Sequence, residues 1–245
     1  MSTAGHATEA EALRSAIARV RSGISSACRS SGRDPHEVLL VAVTKTVPVR
    51  AIEVARDEGL ADFAENYATE LAAKASAVDA TWHFIGRLQR GTVPRVAEFA
   101  QVVHSGEPGR ALERLAARAV SAGKLVRCLL QIDFAGRGHG VAPDETARAV
   151  RVCASLEGVQ LVGLMTLPPW TGDPEATRPF FERLRALRDQ LRGTHPELTE
   201  LSMGMSGDYE VAVEEGATMV RVGTALFGSR PVQTMPGDAP LGGGR

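Results

Sequence analysis

Lys45 closes the apolar run Val38-Leu39-Leu40-Val41-Ala42-Val43-Thr44 and is followed by Thr46-Val47-Pro48. A lysine at the carboxyl end of a buried strand holds a primary amine at the mouth of a sheet or barrel. Proline three residues later commonly opens a helix, which puts the lysine on a short βα loop. Active sites of α/β barrels are built from such loops. Desolvation lowers a lysine pKa from its reference of about 10.4, and a neutral amine can condense with an aldehyde. On its own, Lys45 reads equally well as a surface lysine after a strand.

A second chemical group lies far along the chain, in Met219-Val220-Arg221-Val222-Gly223-Thr224-Ala225-Leu226-Phe227-Gly228. Gly223 and Thr224, where a short helix would begin, offer backbone N–H groups and a hydroxyl. Barrels commonly bind phosphate there, after strands seven and eight. The preceding segment, Leu201-Ser202-Met203-Gly204-Met205-Ser206-Gly207-Asp208, puts Ser206 at the same rim. Turn and helix-cap duties would account for Ser206 alone. The combination says more. An amine on strand one and a phosphate cradle after strands seven and eight become neighbours once a barrel closes. A ligand with an aldehyde at one end and a phosphate at the other would bridge them, and pyridoxal 5′-phosphate (PLP) is such a ligand. Arg221 lies two residues before Gly223 on the same strand face, from which it could point at the ring between the two anchors.

Positioning these groups requires eight strands. The strand-length runs are Leu39–Thr44, Asp62–Asn66, Trp82–Gly86, Gln101–Ser105, Val126–Asp133, Gln160–Thr166, Glu200–Ser206 and Met219–Gly223. Helical stripes lie between them, among them Ala111, Leu112, Leu115 and Ala119, and Phe180, Leu184, Leu187 and Leu191. Leu13, Ile17, Val20 and Ile24 mark an amphipathic helix ahead of the first strand, ended by Ser30-Ser31-Gly32 and Asp34-Pro35. Strands apolar on both faces imply a parallel sheet covered by helices. The pattern predicts an α/β fold, a single (β/α)8 TIM barrel over residues 1–230 with an extra N-terminal helix. A doubly wound open sheet remains the alternative, because periodicity does not reveal closure. Residues 231–245, rich in Pro and Gly, are expected to form a disordered tail.

The chain has 245 residues, 44% of them apolar and 23% charged, with a net charge of −1. That balance predicts no nucleic-acid or membrane partner, and no apolar run reaches the roughly 18 residues of a membrane span. Residues 1–12 carry no basic or apolar leader pattern. Cys28, Cys128 and Cys153 are widely spaced, which suggests small core residues rather than a disulfide framework or a zinc site. No metal ligands are assigned, and a reducing cytoplasm is the expected compartment.

Several uncommon words in order carry a family likeness: Val41-Ala42-Val43-Thr44-Lys45-Thr46, Phe63-Ala64-Glu65-Asn66-Tyr67, Trp82-His83-Phe84-Ile85-Gly86-Arg87-Leu88-Gln89, Gly163-Leu164-Met165-Thr166, and the two rim segments above. From about Leu39 to Arg230 the chain resembles the pyridoxal phosphate homeostasis protein family, whose barrel is similar to the N-terminal domain of bacterial alanine racemase. The resemblance implies PLP as cofactor and Lys45 as the Schiff-base lysine. It implies Ser206, Gly223 and Thr224 as phosphate ligands, Arg221 as partner of the pyridine nitrogen, and Asn66 as a further residue near the cofactor. His83 could approach the pocket, with packing the favoured reading. The chain departs from the family pattern at Ala64, at Arg90-Gly91-Thr92 and in the loop Phe134-Ala135-Gly136-Arg137-Gly138-His139-Gly140. These departures bear on contacts made by the third and fifth βα loops.

Arginine has no acceptor, so Arg221 could only donate to a ring nitrogen and would make the ring a weaker electron sink than an aspartate partner would. Racemisation would also need a second base, which alanine racemases take from a C-terminal β-domain. Here only Tyr67 and Tyr209 are available, and packing suits each better. No catalytic residue is assigned. The leading expectation is a monomeric carrier in PLP homeostasis, holding PLP as a lysine aldimine and exchanging it with PLP-dependent apoenzymes. A weak amino-acid racemase and a Schiff-base aldolase are the alternatives.

Overall fold

Each strand-length run becomes a strand of one parallel sheet, and the sheet closes on itself. The computed structural model describes residues 3–228. The eight strands are β1 (Leu39–Val43), β2 (Asp62–Glu65), β3 (Thr81–Phe84), β4 (Val102–Gly106), β5 (Val126–Ile132), β6 (Val159–Thr166), β7 (Glu200–Ser202) and β8 (Met219–Val222). They pair in sequence order, and β1 returns to β8 with Leu39 opposite Met219 and Val41 opposite Arg221. That seam rules out the open-sheet alternative and makes strand one a neighbour of strand eight.

The period of two along each strand sorts side chains into two layers. Val41, Ala64, Val102, Leu129, Met165 and Met219 fill the barrel interior. Alternate residues such as Phe63, Trp82, Phe84 and Leu130 face the surrounding helices, all at most 1% exposed. Burying side chains of this size contributes about 1.5–3 kcal/mol each. At Gly163 a Cβ would overlap the Glu200 backbone, so only glycine lets β6 and β7 approach as they do.

The described helices are α1 (Thr3–Ser30), α2 (Val49–Asp57), α3 (Ala68–Ala75), α4 (Val93–Phe99), α5 (Arg110–Ser121), α6 (Thr146–Ala154), α7 (Arg178–Arg192), α8 (Tyr209–Glu214) and α9 (Thr224–Phe227). The extra helix α1 buries its stripe Leu13, Ile17, Val20 and Ile24 across α8 and α9, and Gly32, at φ +69°, follows its end. The Arg33 guanidinium then donates to Val213 O and Ala217 O at 2.6 and 2.9 Å, pinning α1 to the turn before β8. The extra helix therefore braces the short helix that begins at Thr224.

Two details differ from the sequence reading. The seventh strand was expected to reach Ser206 but ends at Ser202, because Gly204 at φ +90° breaks the extended run. In α7 the buried aromatic is Phe181, fully enclosed, while Phe180 is only half-buried. A stripe centred on Phe181, Leu184 and Leu191 satisfies the helical period equally well. Cys28, Cys128 and Cys153 are buried free thiols. The expected tail at 231–245 lies outside the described residues. Among the described residues no helix is long and apolar enough to cross a membrane.

Candidate functional site

Leu39, Val41 and Val43 turn toward the interior, so Lys45, two residues further, rises on the inner side of the carboxyl rim. Its side chain is exposed, not sunk into the barrel mouth as the desolvation idea required. What is unusual is the backbone that presents it. Val47 N–H donates to Thr44 O at 2.8 Å, making residues 44–47 a β-turn with Lys45 at its first corner. The second corner, Thr46, has φ +62°, a region normally left to glycine or asparagine. A β-branched residue there costs on the order of 1–3 kcal/mol and persists only where its surroundings impose it.

Those surroundings are a buried ion cluster. Lys74 of α3, 6% exposed, donates its three ammonium protons to Thr44 O at 2.7 Å, Glu65 Oε1 at 2.6 Å and Glu70 Oε2 at 2.6 Å. Glu70 Oε2 also accepts from the Thr46 N–H at 2.8 Å. Thr44 Oγ1 lies 2.6 Å from Glu65 Oε1. The strained turn is thus held by its carbonyl on one side and its amide on the other. Burial pushes the Glu65 carboxyl above its ordinary value, while Lys74 pulls it back. Glu65 belongs to the Phe63-Ala64-Glu65-Asn66-Tyr67 motif, whereas its partner Lys74 lies outside every motif in the sequence. Lys74 sits in an alanine-rich helix, and only its i,i+4 spacing from Glu70 hinted at a pairing.

Across the β1–β8 seam lie the phosphate candidates. Ser206 Oγ accepts from Gly223 N–H at 3.1 Å and Ala225 N–H at 3.2 Å, so a hydroxyl and two amides converge at the start of α9. Gly223 stands against Val43, where a Cβ would come within 3.3 Å of its side chain. Thr224 is exposed at the same corner, and Trp170 lies over Gly207. A cleft of about 420 Å³ beside this corner is lined by Ser206, Gly207, Asp208 and Ala225, together with Glu210, Arg19 of α1 and Pro174. Lys45 and Arg221 do not line it, so it adjoins the Ser206 corner without joining it to the amine.

Arg221 lies below the rim, 3% exposed, with Nη1 donating to Ser202 Oγ at 2.5 Å and Nη2 to Thr166 O at 3.0 Å. Burial brings its pKa down to about 10, and among the described residues it forms no ion pair. It therefore stays a cation and a donor at neutral pH. Asn66 is half-buried at the end of β2, its carbonyl packed so tightly against Gly86 that no Cβ fits there. His83 is fully buried in the lumen, as the packing reading expected, but both ring nitrogens are hydrogen-bonded. Tyr67 is half-exposed at the start of α3. Tyr209 lies against Gly23 of α1 and donates to Glu210 Oε1 at 3.0 Å.

The residues present suit PLP chemically: an accessible primary amine, a convergence of N–H and hydroxyl groups for a phosphate, and a buried arginine on the strand that links them.

Comparison with known proteins agrees. Residues 29–231 match the family described as the alanine racemase N-terminal domain. The pyridoxal phosphate homeostasis protein of Aquifex aeolicus (strain VF5) is 38% identical over 220 residues, spanning 87% of this chain and 96% of its own. Among solved structures, PipY of Synechococcus elongatus PCC7942 with PLP bound superposes with a TM-score of 0.78 at 33% identity, covering 88% of this chain and 100% of its own. An alanine racemase of Clostridium difficile 630 has a TM-score of 0.71 at 16% identity, over 91% of this chain and 58% of its own, a likeness of fold alone.

Proposed function

This chain belongs to the pyridoxal phosphate homeostasis protein family, and we propose that it carries PLP in intracellular PLP homeostasis, held through Lys45. The observation that carries this reading is the pairing across the β1–β8 seam of an amine on a rigidly held turn with a cluster of anion donors on the next strand. When bound, PLP supplies an aldehyde that condenses reversibly with primary amines. In this reading Ser206, Gly223 and Thr224 take the phosphate, and Arg221 donates to the ring nitrogen. Lys45 takes the aldehyde end, with Asn66 beside the ring. The PLP-bound relative supports the same assignment of ligand to fold.

The exposure of Lys45 favours a carrier. An accessible linkage can be exchanged by an incoming amine, which gives PLP a chemical route to a recipient apoenzyme. Racemisation would need a second base on the opposite face, and Tyr209, with its hydroxyl turned to Gly23 and Glu210, is poorly placed to serve. Three free buried thiols suit a reducing cytoplasm.

Absorption spectra of the wild type and Lys45→Ala with PLP, before and after borohydride reduction, test the reading. The wild type should show a visible Schiff-base band that reduction converts to a covalent adduct, and Lys45→Ala should show neither. No band with excess PLP would overturn the assignment. Rapid turnover of amino acids by the loaded protein would replace carriage with catalysis.

A further inference from the structure

Behind Arg221 runs a line of buried polar groups that the proposed function does not use. Arg221 Nη1 meets Ser202 Oγ; Ser202 Oγ lies 2.8 Å from His104 Nδ1; His104 Nε2 lies 2.8 Å from His83 Nδ1; His83 Nε2 lies 2.9 Å from Asp62 Oδ1. Ser202, His104 and His83 are fully buried, and the Asp62 side chain is 16% exposed. Asp62 opens β2, so it lies at the amino end of the barrel, opposite the rim that bears Lys45. His104 on β4 and Ser202 on β7 are not on neighbouring strands, so their bond crosses the lumen.

The donor sense of the whole line follows from its ends. Arginine only donates, so Ser202 Oγ accepts from it and its own proton is available to His104 Nδ1. An ionised Asp62 only accepts, so His83 Nε2 carries a proton. A neutral His83 then accepts at Nδ1, His104 donates from Nε2, and His104 accepts at Nδ1. The carboxylate end sets this arrangement and the arginine end is compatible with it, with every proton pointing from Arg221 toward Asp62. Burial, with the nearby His83, Arg221 and Arg127, holds the His104 pKa well below its ordinary value, which keeps that ring neutral.

We propose that Asp62, His83, His104 and Ser202 are positioning residues, a polarised hydrogen-bond chain that orients the Arg221 guanidinium and couples the amino-terminal face of the barrel to the ring side of the ligand site. This rests on the reading of Arg221 as the donor to the ring nitrogen. A cation and a carboxylate joined through three neutral groups share one electrostatic polarity. Removing the carboxylate end releases the tautomer constraint on both histidines, and through Ser202 changes how firmly Arg221 is held.

Asp62→Ala tests the chain, with Asp62→Asn as a milder variant. Asp62 is partly exposed at a strand start, so both variants retain the barrel core. Imidazole ¹⁵N spectra of the protein without PLP should show Nδ1 unprotonated and Nε2 protonated in both His83 and His104. In Asp62→Ala, the His104 ring, which Asp62 does not touch, should become a mixture of tautomers. With PLP, the variant should bind about threefold to tenfold more weakly, with a shifted visible band. A purely structural Asp62 would leave the His104 tautomer and the band position unchanged. An Nδ1-protonated or cationic His104 in the wild type would overturn the chain while leaving PLP carriage intact. The expected tautomers with no PLP binding would instead overturn the Arg221 reading and, with it, the coupling.

Discussion

At the rim, Lys74 brings an ammonium to 2.6 Å from both Glu65 Oε1 and Glu70 Oε2; in the lumen, His83, His104 and Ser202 are linked at 2.8 Å without a carboxylate or ammonium between them. Both regions bury polar groups in a barrel that could have been filled with valine and leucine. The rim cluster concentrates charge where the backbone is strained, and it acts on one turn. The luminal chain spreads polarity over the width of the barrel, placing its formal charges at the two ends. Charge-dense burial gives local rigidity and fails badly when one partner is lost. A neutral chain costs less per link and transmits orientation, provided every member is satisfied.

The largest effect should therefore come from breaking the rim cluster. Lys74→Met removes the cation and leaves Glu65, fully buried, beside Thr44 and Glu70 alone. The expected loss is about 3–5 kcal/mol, read as a lower urea midpoint at unchanged slope. Adding Glu65→Gln should recover part of that loss, since the orphaned charge is gone. A loss below about 1 kcal/mol for Lys74→Met would show that the pair does not hold the Lys45 turn.

The contrast also explains what could be read in advance. Strand positions were legible because apolar runs and their breaks depend only on neighbours in the chain. Closure places Val41 beside Arg221, and alternation then puts Lys45 and Gly223 at one rim, so the amine and anion residues were legible as well. The rim cluster was not, because whether Lys74 is a solvated helix lysine or a buried clamp depends on how α3 lies over β1 and β2. The luminal chain was half visible. His83 was singled out, but His104 and Ser202 acquire meaning only when β4 and β7 face each other across the lumen. That relation is set by barrel geometry and leaves no local trace. The strained φ at Thr46 was invisible for the same reason: no residue type there announces it.

A smaller effect separates the two regions by pH. The His104 pKa is depressed, so its contribution is fully present above pH 6.5, the ordinary histidine value, and is lost as pH falls below it. The Glu65 pKa is raised, so its contribution is present below pH 4.5, the ordinary carboxyl value, and is lost as pH rises through the folded value. Each proton changes stability by at most about 1.4 kcal/mol per pH unit. Urea midpoints measured at several pH values should show the acid-side decline flattened in His104→Gln and kept in Glu65→Gln. The reverse result would assign the acid limb to the wrong region.

The smallest effect should come from a pair that resembles the rim cluster on paper. Arg127 Nη2 lies 3.2 Å from Glu200 Oε1, but the two side chains are 41% and 22% exposed, at the amino end of the barrel. Water screens the attraction there, and Thr218 Oγ1 also donates to Glu200 Oε2 at 2.7 Å, so the carboxylate keeps a partner when the arginine goes. Arg127→Gln should cost less than about 1 kcal/mol, and that cost should fade in roughly 1 M salt. Because Arg127 is one of the cations that depress His104, the variant should also shorten the acid-side decline, whose upper end stays at the ordinary histidine value. A salt-insensitive loss of about 3 kcal/mol or more would instead make Arg127 a buried member of the luminal chain. The division between a charged rim and a neutral lumen would then fail at its amino end.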